Sequence, residues 1–279
     1  RSTLFPYTTL FRSVKLLGQP FFAEIADRIA ACARRRGLAV VLGVTGERGE
    51  GEAEFFASST ALDGVILYWQ GLSPRALAQE AQRCPLVLLG ENEHAAVDRV
   101  TMDNERGIDL ALAHLTALGR ERIAVIGVPD PACRSHAASR ARAAAFRAAA
   151  GRQGVAVDER LLIASAEWRR PDGAAAVRRL LATGLPFDAL IAFNDALALG
   201  ALHALASAGV RVPDDVAVTG FDNLEASRYS FPSLTTVSPR LSAYADDAVD
   251  LLAARIEDAD APARTLVEGV ALLPRDSTT

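Results

Sequence analysis

The apolar positions of this chain change period repeatedly. Over residues 21–36 they fall at Phe22, Ile25, Ile29 and Cys32, the spacing of one helical face, and Gly37 closes the segment. Residues 38–44 then form a continuous apolar run of strand length. The runs 65–68, after Asp63-Gly64, and 86–89, after Pro85, have the same character. Residues 104–118 return to helical spacing and stop at Gly119, and 122–126 is the next strand. Helices over 139–150 and 172–182 flank a short strand at 161–164. Two more strands, 190–193 and 216–219, enclose a helix at 196–208, which Gly209 caps and Pro213 cannot continue. Residues 241–256 form a last long helix. Strands that are apolar throughout and alternate with helices predict parallel sheets covered on both faces, an α/β architecture.

In such sheets, ligands sit beyond the carboxyl ends of the strands. Two strands end there on side chains suited to hydroxyl groups: Ala192-Phe193-Asn194-Asp195 and Thr219-Gly220-Phe221-Asp222-Asn223. The amide of Asn194 both donates and accepts, and the carboxylate of Asp222 accepts from two hydroxyls at once. Asp195 is expected to cap the following helix, and Asn223 to serve as the turn residue.

Together with Phe231-Pro232-Ser233-Leu234-Thr235-Thr236-Val237, these fragments resemble the LacI/GalR family of bacterial transcription regulators. The likeness is to the effector-binding core, whose fold is shared with periplasmic sugar-binding proteins. It runs from about Gln19 to the end, through Gln19-Pro20-Phe21-Phe22-Ala23-Glu24, Asp103-Asn104-Glu105-Arg106-Gly107, His114-Leu115 and residues 118–124. The resemblance implies two doubly wound lobes with parallel sheets, of the periplasmic-binding-protein type, joined by three crossovers near 101–103, 237–240 and 262–265. The N-terminal lobe would comprise 14–102 and 240–263, and the C-terminal lobe 103–239 and 264–279.

The resemblance also implies an effector site. Arg142 stands four residues before Phe146, matching the family's arginine, although Ala145 replaces the usual glycine and Arg140 and Arg147 are close rivals. Trp168 follows residues 161–167, where the family often places an aromatic that stacks on the ligand ring. Phe21 and Phe22 open the first helix, one expected to pack inward and one to face ligand. His136 is a further contact, and Gly90 stands where some relatives carry an acid. With Asn194 and Asp222 these residues would bind a small molecule, a sugar or sugar derivative. Lobe closure would then modulate operator binding by a cytoplasmic homodimer. No catalytic residue, metal or cofactor is implied.

Composition narrows the alternatives. The 279 residues carry a net charge of −4, with Lys15 as the sole lysine, so no global basic field favours nucleic acid. Arg34-Arg35-Arg36 reads as three cations in a helix's last turn, where the macrodipole favours them. Cys32, Cys84 and Cys133 form no paired motif, which points to a reducing compartment. His94, His114, His136 and His203 are too scattered for a metal cage, and His114 reads as a helix-packing residue. No phosphate loop or nucleophile elbow occurs, which argues against an enzyme. A periplasmic transport protein shares the fold, but residues 211–216 and 232–237 are more regulator-like. No apolar run reaches the roughly 18 residues of a membrane span.

Residues 3–13, Thr3-Leu4-Phe5-Pro6-Tyr7-Thr8-Thr9-Leu10-Phe11-Arg12-Ser13, match the translation of a common short-read sequencing adapter. Residues 1–13 are therefore read as foreign to the protein. They are expected to fill poorly the first-strand slot, placed at 10–17. No helix-turn-helix head is found, so operator binding is expected of the full-length protein only.

Overall fold

The computed structural model describes residues 8–13, 19–44, 51–58, 62–130 and 137–279. The first part of the chain supplies β1 (Thr8–Ser13), α1 (Pro20–Arg35), β2 (Ala39–Val44), α2 (Glu52–Ser58), β3 (Gly64–Leu67), α3 (Pro74–Arg83), β4 (Leu86–Leu89) and β5 (Asp98–Met102) to one unit. A second unit then takes α4 (Asn104–Ala117), β6 (Ile123–Val128), α5 (Ala137–Gln153), β7 (Leu162–Ala164), α6 (Arg170–Ala182), β8 (Ala189–Ala192), α7 (Asp195–Ser207), β9 (Ala217–Phe221), α8 (Glu225–Arg228) and β10 (Thr235–Pro239). The first unit regains the chain for α9 (Leu241–Glu257) and β11 (Thr265–Glu268), and the second for β12 (Val270–Leu273).

The passages between units fall after Met102, after Pro239 and after Glu268. The third lies beyond the 262–265 expected from the sequence. The reason is β11, which pairs in parallel with β5 from Thr265↔Arg99 to Glu268↔Met102 and so binds 265–268 to the first unit's sheet.

That sheet has the order β11-β5-β4-β3-β1-β2, with every pairing parallel. Its first strand differs from expectation. Residues 8–13, rather than 10–17, occupy the slot, in register with β2 over six pairs and with β3 over four. Ladder bonds are made by backbone, and the β-branched and aromatic residues of Thr8-Thr9-Leu10-Phe11 suit extended chain whatever their origin. The basic end of α1 does more than meet a dipole: Arg35 pairs with Asp246 and Arg36 with Asp250 of α9, each at 2.6 Å. Both pairs are solvent-exposed, so each contributes little energy.

The second sheet has the order β12-β10-β9-β8-β6-β7, and only β12 is antiparallel to its neighbour. Strands β6, β8 and β9 are buried along their whole length. On this sheet α6 and α7 touch backbone to backbone. A Cβ at Gly173 would strike the Leu197 carbonyl, and one at Gly200 the Arg170 carbonyl. Among the described residues no helix is long and apolar enough to cross a membrane, and no group of His, Cys, Asp or Glu could hold a metal ion.

Candidate functional site

Four of the seven residues singled out from the sequence stand in the second unit, at or near the carboxyl ends of its central strands. Arg142 projects from α5 and is only 3% exposed. Its Nε donates to Asn104 Oδ1 at 2.7 Å, and Nη1 donates to the Phe193 carbonyl just beyond β8. The guanidinium carbon lies 3.6 Å from the centre of the Phe221 ring and 5.4 Å from that of Trp168. An aromatic face attracts a cation most strongly where water is excluded. Nη1 also lies 3.9 Å from Asp222 Oδ1, beyond hydrogen-bond distance but close enough for strong attraction between two buried charges. Two of the guanidinium's five N–H groups find these acceptors among the described residues.

Asp222 directly follows β9 and is itself buried. Its φ of 117° lies in the region that favours glycine, and Asn223 follows at 54°. Non-glycine residues adopt such angles mainly where surroundings enforce them, often at functional sites. Asn223 thus takes the turn role expected of it.

Asn194 and Asp195 depart from their expected division of labour. Asn194 is the N-cap of α7: its Oδ1 accepts from Leu197 N at 2.8 Å, while Nδ2 donates to the Trp168 carbonyl at 3.1 Å. Asp195 makes no cap. It lies inside the first turn, fully buried, and accepts from Leu224 N at 2.8 Å, Ser227 Oγ at 2.6 Å and Thr236 Oγ1 at 2.5 Å. The capping position requires extended backbone, which Asn194 has with φ −152° and ψ 168°; one residue later the helix has begun. Burial pushes the Asp195 carboxyl up to about 6, against the three hydrogen bonds and the charge of Arg275.

The other candidates separate. Phe21 and Phe22 belong to the first unit, on α1. Phe22 is buried and packs edge-on against Tyr68 at 4.9 Å, while Phe21 is half-buried. His136 lies outside the described residues. Gly90, also in the first unit, has φ 94°, and a Cβ there would come 2.8 Å from the Tyr68 ring, so an acidic side chain would need a strained backbone and a shift of that ring. Trp69 serves the structure, its Nε1 donating to the Leu72 carbonyl at 2.8 Å.

Sequence reading missed Asn104, Phe221 and the true part played by Asp195. Phe221 was within reach, being the last strand residue before Asp222. Nothing in the sequence joins Asn104 to Arg142, 38 positions away.

Comparison with known proteins places this chain among relatives. The family described as periplasmic binding protein-like domain matches residues 112–278. The HTH-type transcriptional regulator AscG of Escherichia coli (strain K12) is 30% identical over 223 residues, which are 78% of this chain and 65% of that protein. This chain therefore spans about two thirds of the length of that curated relative. The solved structure of a putative transcriptional regulator of the LacI family from Sanguibacter keddieii is 37% identical, with a TM-score of 0.85 over 98% of this chain and 99% of that one. A complex of the transcriptional regulator CelR with cellobiose is 28% identical, with a TM-score of 0.87 over 97% of this chain and 84% of that one.

Proposed function

Because the chain belongs to the periplasmic-binding-protein-like domain family, in its LacI-type branch, we propose that it is the effector-sensing core of a transcription regulator. A small molecule, a sugar or sugar derivative, binds at the carboxyl ends of β6, β8 and β9 in the second unit. Arg142 donates to its oxygens and Asp222 accepts from its hydroxyls. Trp168 covers an apolar ring face, and Asn194 offers the amide valences left by its cap. In the first unit Phe21 is half-buried and Phe22 buried, so of these two rings only Phe21 keeps an accessible face. The observation that carries this reading is the pairing of two buried opposite charges, Arg142 on α5 and Asp222 on a strained turn beyond a strand end. Such a pair is poor value for stability alone, since burying charge is costly.

Binding matters for regulation only as far as the molecule prefers one conformation of the protein to another. Operator DNA is a partner of the full-length cytoplasmic regulator, which acts as a homodimer. The exposed rings of Tyr229 and Phe231 support a pairing surface, being 80% and 99% accessible. Residues 3–13 retain their reading as adapter-encoded, which genomic sequencing across those codons would check.

Calorimetric titration with mono- and disaccharides, cellobiose and ribose among them, tests the binding reading. Asp222→Asn keeps the shape and should weaken any sugar that binds by about ten- to a hundredfold, the loss of a hydrogen bond to a charged group. Unchanged affinity in that variant would remove Asp222 from the site. Asp222→Ala is a poorer choice, because it also strands the Arg142 charge.

A further inference from the structure

The turn that presents Asp222 is made of two consecutive residues in conformations that side chains disfavour, so something must hold it. Asp222 N donates to the Val237 carbonyl at 2.8 Å, and Asn223 N to Thr236 Oγ1 at 3.3 Å. The Asn223 side chain donates to Ser238 Oγ at 3.1 Å and accepts from Arg275 Nη2 at 2.6 Å. Leu224 N, the next donor along, ends on Asp195 Oδ2. Thr236 Oγ1 in turn donates to Asp195 Oδ1, so the Asn223 amide reaches the same carboxylate through one hydroxyl. Ser227 Oγ adds a third bond. One buried carboxylate thus collects the start of α7, the far side of the turn and β10. Gly220 leaves it room, since a Cβ there would strike Asp195 Oδ1.

From this geometry we infer that Asp195 is a positioning residue: its carboxylate holds the 222–224 turn against β10 and so fixes where Asp222 presents its oxygens. What Asp222 does with those oxygens rests on the effector-binding reading above. How the turn is held does not.

Amide hydrogen exchange on the protein without added sugar tests the second point alone. Asp195→Asn preserves volume but sets an N–H group where a donor now finds an oxygen. It should speed exchange across 222–227 by about tenfold or more while β6 and β8 keep their protection, a local rather than global opening. Thr236→Val, which removes the relay hydroxyl, should do the same, and Thr236→Ser should restore the slow exchange. This pair also serves if Asp195→Asn does not fold. Unchanged exchange at 222–227, or protection lost equally across the second unit, overturns the inference.

Cellobiose titration supplies the functional arm. Asp195→Asn should weaken binding by about tenfold in the native background and add nothing once Asp222 is already alanine, because contacts that act through one group are not additive. Additive losses overturn the positioning role. If cellobiose does not bind the native protein, the choice of sugar is at fault, and the exchange arm decides alone.

Discussion

The two units build sheets of similar plan, with central strands such as β3 and β4 buried end to end like those of the second unit, and the instructive contrast is between such central strands and the edge strand β2. In the second unit, β6, β8 and β9 are apolar and buried from end to end. In the first, β2 is just as apolar in sequence, yet Val41 is 52%, Leu42 37% and Val44 47% exposed. Val41 and Leu42 point to opposite faces, so neither face of β2 is fully covered. Among the described residues its one strand neighbour is β1, residues 8–13, the segment that resembles translated adapter. A continuous apolar strand is written for a sheet clad on both sides. The sequence of β2 records the surroundings for which it is suited, while its exposure records those it has.

Substitution should make that contrast measurable. The largest effect belongs to Leu190→Ala in β8, a fully buried site, where the lost side chain and the cavity left behind should cost about 2–5 kcal/mol. Urea unfolding would measure it, and a cost below 1 kcal/mol would erase the difference between a central strand and the edge strand β2. Gly200→Ala should follow at about 1–3 kcal/mol or more, because the obstacle is backbone rather than a movable side chain. Val41→Thr in β2 should stay within about 0.5 kcal/mol, as exposed positions do. A larger loss would mean that β2 is better covered than its exposure indicates.

The smallest expected effect is a pH dependence in the second unit. His114 on α4 lies 2.8 Å from Thr278 Oγ1, and burial holds its ring below the ordinary 6.5. The fold therefore disfavours the protonated ring relative to the unfolded chain. The resulting stability is fully present above about pH 6.5 and is lost as pH falls through the lower folded value. His114→Gln should flatten that slope. Trp69 and Trp168 stand one in each unit, so a Trp69→Phe variant leaves Trp168 as the fluorescence reporter of the second unit, where the change should appear.

Much of this fold was legible because its elements announce themselves locally. The apolar spacing of α1, α4 and α7 ends at Gly37, Gly119 and Gly209, each of which has a positive φ. What escaped depended on distant partners. β5 opens with Asp98-Arg99, a poor strand signal, and Asp98 is tolerable there because Arg255 and the Arg264 amide bond it at 2.9 and 2.7 Å. α3 buries only Leu77 and offers little periodicity. In the site, residue types were readable but duties were not. The cap falls to Asn194 and Asp195 turns inward to partners that local sequence does not show, Ser227 among them 32 residues later.

The glycine contact between α6 and α7 has a consequence for how this protein can change. Asn194 begins α7, Trp168 lies just before α6, and a hydrogen bond of 3.1 Å joins them. Two helices in backbone contact have no slack to slide or roll past one another without collision. The spacing of Trp168 and Asn194 is therefore a fixed gauge rather than an adjustable one. On the proposed effector reading, a lineage that adapts to a bulkier molecule would have to find its room around Arg142 and Asp222, whose placement is set by side chains, or else give up both glycines together.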